Sequence, residues 1–127
     1  MKLRIRGNSI RVRLARNEVA SLGRGEKVEQ TTEFSADSRL VSSVESAAVL
    51  EPSATFDAGR ISLILPADAV AAWADTELVS IEGVQLITGG RELAILVEKD
   101  FECLHSVEEG NSDAFPNPRG CPTDHVV

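Results

Sequence analysis

No tyrosine occurs in this chain, and aromatic side chains are limited to one tryptophan and four phenylalanines. So few rings leave almost no platform on which the bases of single-stranded nucleic acid could stack. Cysteine and histidine are equally sparse, two of each, and all four fall within the last 25 residues. A disulfide framework is thereby excluded, and the rest of the chain has no imidazole to act as a base. No apolar run approaches the ~18 residues of a membrane-spanning helix. The opening MKLRIRG alternates charged and apolar residues without a continuous hydrophobic core, which argues against a signal peptide and points to the cytoplasm. There is no G-x-S-x-G elbow. Gly23, Gly25 and Gly89-Gly90 read as turn glycines, since none opens a phosphate-binding loop closed by Lys and Ser/Thr.

What remains is globular in composition: 127 residues, 43% hydrophobic and 26% charged. That length suits one domain that needs no staple to fold. The formal net charge of −7 is unevenly spread, with eight Lys/Arg against three Asp/Glu in residues 1–30 and five against seventeen thereafter. An acidic total makes wholesale nucleic-acid binding unfavourable, because that depends on neutralising phosphates.

The dominant signal is a duplication. Ile10 to Val28 lies without a gap on Ile61 to Val79, at a separation of 51 residues. Ile10 falls on Ile61, Val12 on Leu63, Leu14 on Leu65, Val19 on Val70, Leu22 on Trp73 and Val28 on Val79. Asn17 and Asp68 are expected to cap the two short helices that follow, with Gly23 as the left-handed stop of the first. Further on, Leu40, Ser42 and Val44 match Leu93, Ile95 and Val97 at a separation of 53. A bulge near Gly83 would absorb the two extra residues.

Within each half the pattern is strand, strand, helix, strand, strand. Taking Gly7-Asn8 as a two-residue turn sets Ile5 opposite Ile10 and Leu3 opposite Val12 on one face. Arg4 then meets Arg11, and Lys2 meets Arg13, on the other. Ala58-Gly59 does the same for Phe56 with Ile61 and Ala54 with Leu63, and Gly89-Gly90 turns a third hairpin. The expected fold is α+β and mostly β: duplicated β-β-α-β-β units, about 1–46 and 52–98, related by a pseudo-two-fold. About eight mostly antiparallel strands would form a curled sheet or barrel with two short helices, one domain over 1–102. The order resembles duplicated cradle-loop and double-psi barrels, although no loop motif of those folds is visible. Residues 103–127, rich in Pro, Gly and acids, read as an irregular tail.

MKLRIRGNSIRVRL, ATF, SIEGVQ, LAILVEKDFECL and DAFPNP are similar to stretches of a family of short bacterial proteins of unknown function. The resemblance covers most of the chain. It implies a cytoplasmic single domain and supplies no activity and no site residues.

Two constellations could carry function. Lys2, Arg4, Arg6, Arg11 and Arg13 form a basic ladder able to clamp phosphate or carboxylate, since arginine forks bind such groups in pairs. Alternatively, Glu29 and Glu33 alternate correctly to neutralise it. Cys103, His105, Cys121 and His125 supply two thiolates and two imidazoles, a set suited to tetrahedral zinc, although C-x-H is tighter than usual for zinc. The bland reading is one partly buried cysteine and three incidental tail residues, with a Cys103–Cys121 disulfide as a third option. Glu98 and Asp100 share a strand face and could serve in acid/base work, or stand as exposed charges beside Lys99. Trp73 takes the place of Leu22 in the repeat, so core packing explains it. The sequence thus favours a binding or structural module contacting an anionic ligand or acidic partner through the first hairpin. The alternative is a small zinc protein or enzyme. An uncovered edge strand could also pair two copies into a homodimer.

Overall fold

The computed structural model describes residues 1–101. Its elements are β1 (Lys2–Arg6), β2 (Ser9–Leu14), α1 (Arg16–Gly23), β3 (Val28–Ser35) and β4 (Ser38–Ala47). The second half repeats them as β5 (Ser53–Asp57), β6 (Arg60–Pro66), α2 (Ala67–Asp75), β7 (Ser80–Ile87) and β8 (Arg91–Lys99). The expected hairpin registers are the observed ones: Ile5 faces Ile10, Leu3 faces Val12, Phe56 faces Ile61 and Ala54 faces Leu63. Every such pair meets on the inward face, because one residue of slippage would turn the whole apolar set to solvent.

The eight strands divide into two four-stranded sheets, ordered β1-β2-β8-β7 and β3-β4-β6-β5, and no closed barrel forms. Each sheet joins the first hairpin of one half to the second hairpin of the other, so the halves are interleaved. The two junctions are parallel, β2 with β8 and β4 with β6. Their registers are mates: Val12 lies beside Val97, and the equivalent pair is Leu63 beside Val44. Inward residues of both sheets, among them Leu14, Val44, Leu63, Leu65, Ile95 and Val97, share one core with Val19 and Leu22 of α1 and Val70 and Trp73 of α2. Both helices follow the inner strands β2 and β6 at the end away from the Gly7-Asn8 and Ala58-Gly59 turns. No helix among the described residues is long and apolar enough to cross a membrane.

Three local expectations are corrected. Asn17 and Asp68 lie inside the helices, which are preceded at the cap position by Ala15 and Pro66 without a side-chain cap. In α1 the Glu18 carboxylate reaches back instead, Oε1 accepting the Ala15 N–H at 2.8 Å, as a glutamate at the third helical position can. Asp68 contributes through its charge beside the positive helix end. The left-handed stop is Gly25, at φ +84°, closed by the Glu26 N–H to the Ser21 carbonyl at 2.9 Å. Gly23 remains helical, where a Cβ would stand 3.2 Å from that of Ala74 on α2.

Finally, β7 pairs with β8 without interruption. The mate of buried Val28, opposite Val44, is Ile81, opposite Val97, so the two extra residues lie between Trp73 and Ile81 rather than at Gly83, one lengthening α2 and one opening β7. The Val79 carbonyl just before β7 accepts the Trp73 indole N–H at 3.0 Å, a partner that the equivalent Leu22 does not require.

The two seams between the sheets differ. Across β5 and β7, Gln85 grips the backbone of Ala54 and Gly83 lies against Pro52. Across β1 and β3, the equivalents are Thr32, Leu3, Gln30 and Met1, and no hydrogen bond joins these strands among the described residues.

Candidate anion-binding face

The register of the first hairpin turns Lys2, Arg4 and Arg6 of β1 and Arg11 and Arg13 of β2 onto the outer face of their sheet. Lys2 stands opposite Arg13 and Arg4 opposite Arg11. Like charges directly opposite disfavour a hairpin by roughly 0.2–1 kcal/mol per pair, so the sheet has to supply counter-charge from its other side.

It does so through β8. The parallel register lays Arg13 beside Glu98, and the Arg13 Nε donates to Glu98 Oε1 at 2.7 Å. Arg11 Nε approaches the same oxygen at 3.6 Å, and Lys2 Nζ lies 2.9 Å from Asp100 Oδ2. Glu98 and Asp100, the carboxylates whose shared strand face suggested acid/base work, are therefore counter-ions of the ladder. Their side chains are 15% and 21% exposed, which strengthens these pairs relative to fully solvated ones.

Glu29 and Glu33 do not neutralise the ladder, because β3 belongs to the other sheet. Glu29 accepts from Arg60 Nη1 at 2.7 Å, with Lys27 Nζ at 3.7 Å. The Arg60 hydrogen bond, above all, holds its carboxyl below the ordinary glutamate range. Glu33 lies opposite Arg39.

Lys2, Arg4, Arg11 and Arg13, with Leu3, line a cleft of about 210 Å³. Arg6 is not part of it and sits at the hairpin tip. Arg4 has no ion-pair partner among the described residues, and its guanidinium is exposed. Asp100 engages Lys2 and Glu98 engages Arg11 and Arg13, while exposed Arg4 adds a planar donor fork to the cleft, a group suited to an oxyanion. Sequence reading missed the role of Glu98 and Asp100, whose signal was the match between their strand and β4 combined with a parallel junction.

Trp73 is buried in the core as expected and offers no stacking surface. Lys99 points away from the ladder, donating to the Thr76 carbonyl at 2.8 Å with Nζ 5.9 Å from the Trp73 ring centre. Cys103, His105, Cys121 and His125 lie outside the described residues. Among the described residues no group of three or more His, Cys, Asp or Glu side chains is placed to hold a metal ion.

Comparison with curated proteins and with solved structures found no match to the chain. A family model does match, over residues 1–119, and the chain belongs to that family, a family of unknown function designated DUF7009.

Proposed function

We propose that this protein is a cytoplasmic binding module that holds an anionic group, phosphate or carboxylate, in the cleft between β1 and β2. The observation that carries the reading is Arg4, exposed and without an ion-pair partner among the described residues. Arg4 is set directly opposite Arg11, and the neighbouring carboxylates engage Lys2, Arg11 and Arg13. Arg4 is the ladder position whose charge an added anion would balance best, and its fork is preset by a two-stranded hairpin rather than by a loop. The ligand would replace cross-strand repulsion with two guanidiniums sharing one anion.

Isothermal titration with inorganic pyrophosphate at low salt tests this. Wild-type protein should bind, and Arg4→Glu should abolish binding. Arg39→Glu, which removes a cation outside the cleft, should leave it unchanged. Binding that survives Arg4→Glu contradicts the assignment.

A further inference from the structure

The outer face of the first sheet continues past the arginines in cross-strand rows. Arg4 stands beside Arg11, Arg11 beside Leu96 and Leu96 beside Glu82. In the next row towards the hairpin tip, Arg6 stands beside Ser9, Ser9 beside Ala94 and Ala94 beside Val84. A depression of about 500 Å³ lies over these rows, with Ser9, Arg11, Glu82, Val84, Ala94 and Leu96 in its lining. Arg11 lines the Arg4 cleft as well, so the cleft and the depression adjoin. Val84 is 51% exposed and Leu86, two residues further along β7, is 77% exposed, which carries apolar surface to the edge of the sheet.

The duplication supplies an internal comparison. The mates of Arg4, Arg11, Leu96 and Glu82 are Thr55, Ser62, Ser43 and Glu29, which form the same row on the second sheet. The mates of Val84 and Leu86 are Thr31 and Glu33. On that sheet the Arg60 Nη1 reaches across β4, 3.4 Å from the Ser43 Oγ, and donates to Glu29 at 2.7 Å. The row is thereby covered. The mate of Arg60 is Ser9, too short to span β8 in the same way, so the first face stays open. One strand plan is thus built with small and polar residues in one half and with arginine and exposed leucine and valine in the other. Folding does not call for that difference, and an exposed apolar surface rimmed by charge is the mark of a contact site.

We infer that this face holds a small amphiphilic anion, one acidic head on a single apolar chain, an inference that rests on the anion-binding reading of the Arg4 cleft. The head takes the exposed Arg4 fork beside Arg11. The chain crosses Leu96 and Ala94 to Val84 and Leu86, a path of roughly 10 Å, two strand spacings from β2 to β7. Its borders are polar. On one side Arg13 and Glu98 close the neighbouring row with their ion pair. Glu82 stands at the far end of the Arg4 row, where its charge turns the chain towards Val84 and disfavours a second acidic group. A bare phosphate would use the arginines alone, whereas the chain also removes leucine and valine from water. An apolar floor with one charged anchor is the usual make-up of a small-molecule site.

NMR titration of the full chain with octyl phosphate below its micelle concentration, methyl phosphate and inorganic pyrophosphate tests the proposal. Wild-type protein should bind octyl phosphate about tenfold or more tighter than methyl phosphate, since several methylenes leave water. The double variant Val84→Thr with Leu96→Ser places on the first sheet the residues that the second sheet already carries. It should keep its circular dichroism, bind pyrophosphate as wild type does and lose most of the preference for the octyl chain. Val84→Thr alone, at a half-exposed site where folding is not at stake, should lose part of it. Arg4→Glu should abolish binding of all three ligands. Pyrophosphate binding with no octyl preference, or a preference that both valine and leucine variants retain, would overturn the amphiphile and leave the anion site standing. Absence of pyrophosphate binding would overturn both. Association with phosphatidylglycerol vesicles but not with monomeric octyl phosphate would make the face a membrane contact, and a dimer in sedimentation that the double variant dissolves would make it a contact between copies; either result would also overturn the proposal.

Discussion

The side-chain amide of Gln85 acts as a substitute strand for Ala54. From β7 in one sheet it accepts the Ala54 N–H at 2.6 Å and donates to the Ala54 carbonyl at 3.0 Å on the edge of the other sheet. The backbone of β5 thus finds a partner where its ladder ends, and one seam between the sheets is fastened by two hydrogen bonds. The equivalent residue at the other seam, Thr32, is too short to do this.

Replacing Gln85 with leucine should leave both Ala54 groups without a partner at a part-buried site, at a cost of about 1–3 kcal/mol. Gln85→Glu should cost less in part, since a carboxylate still accepts the N–H but cannot donate to the carbonyl. Urea unfolding of the three proteins measures this. A leucine variant as stable as wild type would mean that water replaces the amide without loss.

Beside this contact, Gly83 is set by close approach. A Cβ there would lie 2.8 Å from Cγ and 2.9 Å from Cδ of Pro52, atoms of a stiff ring. Gly83→Ala should therefore destabilise by about 1–3 kcal/mol through overpacking. In a Pro52→Ala background most of that cost should vanish, giving a coupling that a double-mutant cycle by urea unfolding reads directly. Equal costs in both backgrounds would contradict the contact.

Arg60 governs the titration of Glu29 across the outer face of the second sheet. A carboxyl depressed by a native partner contributes stability that is present above its unfolded pKa and disappears as pH falls through its folded one. NMR titration should therefore place the Glu29 midpoint below that of an ordinary glutamate, and Arg60→Ala should move it upward. A midpoint unaffected by that substitution would assign the shift to another group.

Local pairing was legible in the sequence because it is local. The Gly7-Asn8 and Ala58-Gly59 turns, with alternation on both sides, determine which residues face each other, and the repeat carries Val19 and Leu22 onto Val70 and Trp73. The interleaving of the halves was not legible. Nothing near Arg13 in the chain points to Glu98, 85 residues away, so the carboxylates nearest in sequence, Glu29 and Glu33, looked like its partners although they belong to the other sheet. Caps were misplaced for a similar reason. Asn17 has suitable chemistry, but the chain turns into helix earlier, at Ala15, where Glu18 supplies the acceptor. The Cys103, His105, Cys121 and His125 group falls outside the described residues, and its reading rests on spacing.

The most direct test of the anion-binding account is thermal unfolding of wild type and Arg4→Ala, each with and without inorganic pyrophosphate. Without ligand, Arg4→Ala should be as stable as wild type or slightly more stable, by up to ~1 kcal/mol, because the substitution relieves its repulsion with Arg11. With pyrophosphate the wild-type midpoint should rise, as any ligand of the folded state requires, while the variant should not respond. A variant that is clearly less stable and still gains stability from pyrophosphate would make Arg4 structural and place the anion elsewhere.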